Sequence, residues 1–172
     1  MSEEIPKFSF AIREDLEDVS KLFLPTKAEQ GCTGWDVACA QPDRKPIVLR
    51  AGQYVKIPLG FRVLPEYGWW LQLVPRSSSF AKKYLHALYG TIDFSYRGEV
   101  LAAFNYLPDI NSLANDLVLN FGDKIAQIIP YKLQHMDVRK ISNEDYDTAA
   151  AKSLYFSQRG VGGFGSSDLK KE

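Results

Sequence analysis

The sequence predicts an all-β domain, folded as a sandwich or a barrel. Short apolar and aromatic segments dominate the chain, and helical patterning is weak. Turn-forming residues separate these segments, at Gly52, Pro65 to Gly68, Gly90, Gly98 and Gly122. Many short strands with turn signals at this spacing are typical of antiparallel sandwiches and barrels.

Six segments are predicted to be strands because they are rich in apolar, β-branched and aromatic residues: 7–12, 46–50, 53–63, 69–74, 98–106 and 124–133. In the third, Val55 and Ile57 alternate with Tyr54 and Lys56, which is the pattern of a strand with one buried face. In the last, Pro130 predicts an edge, a bend or a strand end, because proline donates no hydrogen bond to a neighbouring strand.

Only three segments carry any helical pattern. Residues 14–23 and 111–118 are each expected to give a short helix. Residues 143–156 are either helical at their alanine-rich centre or a linker that carries the terminal segment away from the core.

The composition is that of a soluble, single-domain protein. The chain has 172 residues, of which 45% are hydrophobic and 24% charged. Lysine plus arginine and aspartate plus glutamate balance at 21 each, which provides no overall field for nucleic acid or an anionic membrane. No apolar run approaches the ~20 residues that span a bilayer, and the acidic start MSEEIPKF does not have the layout of a signal peptide. We therefore expect a cytoplasmic protein, in the host cytoplasm if it is viral, that binds neither membranes nor nucleic acid directly.

Cysteine and histidine are too few and too scattered for a zinc site. The chain has Cys32, Cys39, His86 and His135, without the paired spacing that zinc ligands show. A disulfide between the two cysteines is one alternative. Reduced structural thiols, as in an intracellular protein, are the favoured interpretation.

Two stretches place polar groups where a strand or turn does not require them. In GWDVACA (34–40), Asp36 interrupts an apolar run, where a carboxylate needs a partner or a metal. Taken alone, an aspartate that caps a turn after Gly34 is the simpler interpretation. In PRSSSF (75–80), Arg76 and three serines follow a strand, a combination that can hold phosphate, although serine-rich turns are common.

Three further stretches have the same character. YGTIDFSYRGEV (89–100) places Asp93 and Tyr96 in a tight hairpin, where the carboxylate is either a general base or a turn aspartate. FGDKIAQ (121–127) leads to Gln127, whose amide must bind backbone or a ligand. RGVGGFGSS (159–167) has the composition of a disordered tail, yet Arg159 and Phe164 fit a closing arm better.

Together, and in this order, these five stretches resemble the five motifs of the trimeric dUTPases, over residues 24–167. The resemblance implies a jelly-roll-like β-barrel with distorted antiparallel strands over residues 1–157, and a nucleotide-covering arm over residues 158–172. It implies hydrolysis of dUTP to dUMP and pyrophosphate, which limits uracil in DNA and supplies dUMP for dTMP synthesis. It also implies Mg²⁺ as cofactor and a homotrimer whose subunits share their sites.

The resemblance further implies a role for each site residue. Asp93 would orient and deprotonate the water that attacks the α-phosphorus. Tyr96 would pack beneath the deoxyribose and exclude a ribose 2′-hydroxyl. Asp36 would reach Mg²⁺ through coordinated water. The other residues would bind substrate: Gly90 and Ile92 in the uracil-binding hairpin, Arg76, Ser77, Ser78 and Gln127 at the phosphates, and Arg159, Gly163, Phe164, Gly165 and Ser166 in the arm, with Phe164 stacked on uracil and Arg159 at the γ-phosphate.

The chain departs from the family pattern in five places. Thr33 stands where the first motif commonly has alanine. Trp35 stands where the first motif usually has tyrosine, and Ser95 where the third usually has a second acidic residue. Residues 106–120 and 131–158 are longer than usual. The second insertion leaves open which subunit's site the arm reaches, and both insertions are candidate surfaces for a partner.

Two other functions compete with dUTP hydrolysis. A dCTP deaminase shares the fold but needs a glutamate on the strand after the hairpin, where Ala102 and Ala103 stand, and Glu99 comes too early. A nucleotide-binding regulatory protein would be signalled by the loss of Asp93, Arg76 or the arm, and all three are present. The sequence therefore favours hydrolysis.

Overall fold

The structure, a computed structural model, describes residues 5–109 and 116–151. Its strands within these ranges are β1 (Phe8–Ile12), β2 (Trp35–Ala38), β3 (Ile47–Leu49), β4 (Tyr54–Pro58), β5 (Phe61–Pro65), β6 (Trp69–Pro75), β7 (Leu85–Ala87), β8 (Gly90–Ile92), β9 (Leu101–Tyr106), β10 (Leu117–Leu119) and β11 (Lys124–Lys132). The helices are a 3-10 helix (Glu14–Val19), α1 (Ser20–Phe23), α2 (Ser77–Ala81) and α3 (Asn143–Ala151). The predicted all-β class with few short helices is confirmed.

The strands form small antiparallel sheets around one main apolar core. The largest sheet has the order β2-β11-β6-β8, and a second has the order β4-β9-β7. β1 pairs with β5, and β3 pairs with β10. Inward side chains from these strands make the core, whose largest fully buried members include Phe61, Phe104, Ile57, Leu71, Leu119 and Ile125. Because β11 lies between β2 and β6, three of the five sequence stretches meet side by side in the largest sheet, and a fourth contributes β8 at its edge.

The predicted single strand over residues 53–63 was wrong. Two strands, β4 and β5, occupy this region, and the chain turns between them at Gly60, where φ is +77°. A Cβ at this position would lie 2.5 Å from Leu16 Cδ1 and 2.8 Å from the Cβ of Ala40, so only glycine fits. The alternating apolar pattern continues through the turn, which is why the sequence indicated one strand.

Other boundaries also shift. β9 begins at Leu101 rather than at residue 98, because Gly98 and Glu99 complete the preceding loop. The helix predicted over 111–118 was wrong at its end, since Leu117 and Val118 pair with β3. Residues 110–115 lie outside the described ranges.

Pro130 lies inside β11 rather than at its end. It pairs with Leu71 of β6, whereas the pairing of β11 with β2 ends opposite Ile128. β11 is therefore paired on one side only at this point, as Pro130 allows.

Contacts divide the chain into two units, Met1–Gln134 and His135–Glu172. In the second unit α3 covers the predicted helical centre of residues 143–156. The Ser142 hydroxyl accepts a hydrogen bond from the Asp145 amide at 3.0 Å, which caps the helix N-terminus. None of the helices that the structure describes could serve as a membrane span. The predicted boundary between residues 157 and 158 lies outside the described ranges and stays a prediction.

Candidate active site

An ion-pair cluster forms where β2, β6 and β11 lie side by side. Asp36 in β2 is 9% exposed, which accounts for its need of a charged partner. Its Oδ1 lies 3.0 Å from Nε of Arg76, the residue after β6, and its Oδ2 lies 3.6 Å from Nζ of Lys124 at the start of β11. Of the two interpretations of Asp36, the structure supports the paired carboxylate in an apolar run, not a turn cap.

Arg76 is held at two points. Besides the ion pair with Asp36, its Nη1 donates a hydrogen bond to the Lys124 carbonyl at 3.2 Å. Its side chain is nevertheless 32% exposed. Part of a positively charged, planar donor group is therefore accessible and already oriented, which is what binding of phosphate oxygens requires.

Gln127 lies beside this pair. It stands opposite Asp36 in the β2–β11 pairing and opposite Val74 in the β6–β11 pairing, and its Nε2 donates to the Pro75 carbonyl at 3.3 Å. Its side chain crosses the position where a Cβ on Gly34 would stand. Asp36, Arg76 and Gln127 are thus brought together, and this group with Lys124 is called the β2–β6–β11 corner below.

The serines of PRSSSF differ in their environments. Ser77 and Ser78 begin α2, and Ser77 is exposed while Ser78 is half-buried. Ser79 is fully buried, and its hydroxyl donates to the Ile125 carbonyl at 2.6 Å. The third serine therefore attaches α2 to β11, which leaves the first two as the candidates for ligand contact.

The tight hairpin predicted over residues 89–100 was wrong in its pairing, because β8 pairs with β6 whereas β9 pairs with β4 and β7. We keep the name hairpin for the loop that joins β8 to β9, and this loop presents the predicted carboxylate to solvent. Gly90 and Ile92 lie in β8, and Asp93 follows as an exposed residue. A turn places the Tyr96 amide on the Asp93 carbonyl at 3.0 Å, and the Tyr96 side chain is 43% exposed. Asp93 and Tyr96 are therefore adjacent and accessible.

Within a single chain, this hairpin lies far from the β2–β6–β11 corner. β8 pairs with β6 so that Ile92 stands opposite Leu71 and Gly90 opposite Leu73, which puts Asp93 near Trp70. Arg76 follows the opposite end of β6. From Trp70 to Arg76 the strand spans roughly 20 Å at ~3.3 Å per residue. Within one chain Asp93 and Arg76 therefore cannot act on the same small group of atoms.

The predicted arm lies outside the described residues. The structure describes the chain to residue 151, so the predicted roles of Arg159, Gly163, Phe164, Gly165 and Ser166 stay predictions.

The sequence did not indicate two residues, one in the β2–β6–β11 corner and one that contacts the end of the hairpin. Lys124 belongs to the stretch FGDKIAQ, but its pairing with Asp36 depends on the register of β2 and β11, which no local pattern gives. Arg13 lies outside the five stretches, yet its Nη1 is 2.7 Å from the Glu99 carboxylate at the end of the hairpin. A basic residue at a strand end is common, and only its long-range partner marks it.

Cys39 is the kind of thiol that the sequence favoured. It is free and fully buried, and burial is the main cause that raises its pKa from its ordinary value of 9.0 to about 12, with a further contribution from Asp123. It is therefore a neutral core side chain, and Cys32 is also free.

The residues of the corner suit a magnesium ion that is held jointly by one carboxylate and by the phosphates of a ligand. Within the described ranges no group of three or more acidic, histidine or cysteine side chains is arranged to hold a metal. Asp36 is a single carboxylate beside a partly exposed arginine. Mg²⁺ keeps several waters and binds through one or two carboxylates together with substrate phosphates, so this donor set fits it.

Known proteins of one family are similar to this chain in sequence and in fold. The sequence model described as dUTPase matches residues 21–168. The deoxyuridine 5'-triphosphate nucleotidohydrolase of Bartonella bacilliformis is 33% identical over 160 residues, which cover 90% of this chain and 88% of the relative.

Solved structures agree with the sequence match. A mutant dUTPase of Staphylococcus bacteriophage 80alpha, with dUpNHpp, has a TM-score of 0.67 and 16% identity, covering 94% of this chain and 98% of its own. A mutant dUTPase of phage phi11 of S. aureus, whose structure reveals the coordination of a structural Mg(II) ion, has a TM-score of 0.63 and 16% identity, covering 80% and 97%. The jelly-roll-like β fold is thereby confirmed.

Proposed function

This chain belongs to the dUTPase family, and we propose that it hydrolyses dUTP to dUMP and pyrophosphate. The observation that carries the proposal is the convergence of Asp36, Arg76 and Gln127, from three separate motifs, in one corner of the main sheet. A positively charged fork, an amide and a carboxylate at one place suit a triphosphate and its cation.

The phosphate chain would lie against the β2–β6–β11 corner. The exposed part of Arg76 would bind phosphate oxygens, with Ser77, Ser78 and the Gln127 amide as further donors. Asp36 would hold the waters of Mg²⁺. When bound, the ion supplies neutralisation of the charge that develops as the bond between the α- and β-phosphates breaks.

The hairpin would supply the base and the selectivity. Asp93 is exposed and would accept a proton from the water that attacks the α-phosphorus, which requires a distance of ~3 Å. The backbone around Gly90 and Ile92 would hydrogen-bond uracil, and the Tyr96 ring would lie beneath the sugar and exclude a 2′-hydroxyl. In the arm, Phe164 would stack on uracil, Arg159 would bind the γ-phosphate, and Gly163, Gly165 and Ser166 would wrap the rest.

A complete site then requires more than one subunit. Asp93 and Arg76 must act on one phosphate chain, yet the β6–β8 register separates them by roughly 20 Å in a single chain. A homotrimer in which one subunit supplies the corner and another the hairpin removes this difficulty. The product dUMP would serve dTMP synthesis, and removal of dUTP would limit uracil in DNA.

The proposal is tested by the nucleotide that is turned over. The protein is incubated with Mg²⁺ and dUTP, dCTP, dTTP or UTP, and pyrophosphate and ammonia are both measured. Pyrophosphate from dUTP, lost in Asp93→Asn and retained in Asp43→Asn, is expected, because Asp43 is an exposed aspartate outside the site. Ammonia from dCTP would instead indicate the deaminase, although Ala102 and Ala103 offer no carboxylate. No turnover from a folded oligomer would indicate a binding protein.

A further inference from the structure

Arg13 joins three separate parts of the first unit. It follows β1, and its side chain is 23% exposed. Its Nη1 donates to Oε1 of Glu99 at 2.7 Å, its Nη2 donates to the Ala40 carbonyl at 2.7 Å, and its Nε donates to Oδ1 of Asp15 at 2.6 Å. No motif contains this residue, but it contacts the last part of the hairpin that carries Asp93 and Tyr96.

Glu99 is fixed from two directions. Besides Arg13, the Gly60 amide donates to the same Oε1 atom at 3.0 Å. The next residue, Val100, donates from its amide to the Phe61 carbonyl at 3.0 Å. The end of the hairpin is therefore attached both to the turn between β4 and β5 and to the Arg13 side chain.

Glu99 in turn fixes the tyrosine. The Tyr96 hydroxyl donates a hydrogen bond to the Glu99 carbonyl at 2.9 Å. The ring lies so close to Gly98 that a Cβ there would collide with the hydroxyl oxygen. Because the Tyr96 side chain is 43% exposed, this hydrogen bond is a main restraint on where the ring lies.

We propose that Arg13 is a positioning residue for sugar selectivity, because it holds Glu99 in the place from which the Glu99 carbonyl holds Tyr96. The inference rests on the proposed function, in which the Tyr96 ring excludes the 2′-hydroxyl of a ribonucleotide. Exclusion by shape requires a wall that does not yield. With Arg13 removed, the end of the hairpin and the ring can shift, and a ribose fits.

The test compares two arginine variants for their preference between deoxyribose and ribose. In Arg13→Met the contact to Glu99 is lost. Arg44→Met is the matched control. Arg44 binds Asp18, which lies in the same 3-10 helix as Asp15, the aspartate that Arg13 binds. The Arg44 Nη2 atom is 2.6 Å from the Asp18 Oδ1 atom, and Arg44 does not contact the hairpin. Each arginine holds the pKa of its aspartate, Asp15 or Asp18, below the ordinary value by hydrogen bonding, so each substitution removes one such partner, and only Arg13→Met also removes the partner of Glu99.

The readout is the ratio of dissociation constants for the non-hydrolysable α,β-imido analogues of UTP and dUTP, measured by calorimetry. We expect Arg13→Met to lower this ratio roughly tenfold, chiefly through tighter binding of the ribonucleotide, since shape discrimination of one small group has about this magnitude. Arg13→Lys should restore part of the ratio, and Arg44→Met should keep it. A folded Arg13→Met protein with the wild-type ratio would overturn the inference.

A second variant keeps the inference testable if Arg13→Met does not fold. Tyr96→Phe keeps the ring and removes only the hydrogen bond to Glu99, so the ratio should fall in the same direction, and an unchanged ratio would contradict the proposal. Selective binding of the deoxy analogue without turnover of dUTP would count against the proposed function alone. Turnover of dUTP with an unaltered ratio in these variants would count against Arg13 alone.

Discussion

Arg76 and Asp36 form an ion pair, with Nε and Oδ1 3.0 Å apart, although they belong to different motifs 40 residues apart in the chain. The Asp36 side chain is 10% exposed and that of Arg76 is 32% exposed. The buried carboxylate of Asp36 therefore orients the partly exposed guanidinium of Arg76. A preoriented guanidinium loses less side-chain freedom when it binds a phosphate, which favours affinity.

Replacement of Arg76 by lysine should weaken binding of the triphosphate specifically. Lysine keeps the charge but not the planar guanidinium, which contacts Asp36 and the Lys124 carbonyl and would bind a phosphate at the same time. We expect affinity for the imido analogue of dUTP to fall roughly tenfold to a hundredfold, as for one charge-assisted hydrogen bond, while affinity for deoxyuridine is unchanged. Calorimetry with both ligands checks this, with Arg50→Lys as an exposed control. Equal losses for the two ligands would contradict a phosphate role.

Gly34 should be needed for the placement of Gln127. A Cβ on residue 34 would collide with the Gln127 side-chain amide, whereas a Cβ on Gly31 meets nothing within 4 Å. Gly34→Ala should therefore move Gln127 and cost about 1–3 kcal/mol of stability or of nucleotide binding. The stability to chemical denaturation and the KM for dUTP are measured for Gly34→Ala and for the control variant Gly31→Ala. An effect of Gly31→Ala as large as that of Gly34→Ala would show that the contact with Gln127 is not the cause.

The sequence predicted what depends on local pattern. Val55 and Ile57 alternate with polar residues and lie in a strand, and Asp93 follows a strand into a turn, as expected. The failures have tertiary causes. Gly60 divides a strand because Leu16 and Ala40 occupy the space of its missing side chain, and this appears only after the chain has folded.

The site was predictable as a set of residue types, but not as a geometry. Asp36 needs a charged partner, yet whether that partner is Arg76, Lys124 or both depends on the register of β2, β6 and β11. Register depends on the pairing of whole strands, so a single motif does not determine it. The distance between Asp93 and Arg76 follows from the β6–β8 pairing for the same reason, and it gives the strongest physical argument for a shared site.

The buried thiol of Cys39 should lower stability at alkaline pH. Its pKa in the folded protein is about 12, above its ordinary value of 9.0. The unfolded chain therefore loses its proton first as the pH rises. The contribution to stability is fully present below pH 9.0 and is lost progressively up to about 12, by at most about 1.4 kcal/mol per pH unit.

Denaturation of the wild type and of Cys39→Ser across this pH window measures the effect as a difference that shrinks above pH 9. A thiol reagent gives an independent check. In a Cys32→Ser background no thiol should react in the native state, and one should react after unfolding. Rapid reaction of the native Cys32→Ser protein would show that Cys39 is accessible and that the argument from burial is wrong.

Mixed oligomers should reveal which residues of a site come from different subunits. Asp93→Asn and Arg76→Gln are each expected to abolish dUTP hydrolysis. When equal amounts of the two are unfolded and refolded together, some sites combine an intact Arg76 from one chain with an intact Asp93 from another. With random assembly of a symmetric oligomer, about a quarter of the sites should be complete, and this fraction of wild-type activity should return.

A second mixture supplies the control. Asp36 forms an ion pair with Arg76 and stands opposite Gln127 in the same chain, so a mixture of Arg76→Gln with Gln127→Ala cannot rebuild an intact β2–β6–β11 corner. The activity of this mixture should not exceed the sum of the activities of the two variants assayed separately. Recovery in the first mixture alone establishes that the corner and the hairpin of one site belong to different chains. If neither mixture recovers activity, Asp93 and Arg76 must act from the same chain, and the roughly 20 Å between them along β6 would have to be closed by a rearrangement of the sheet.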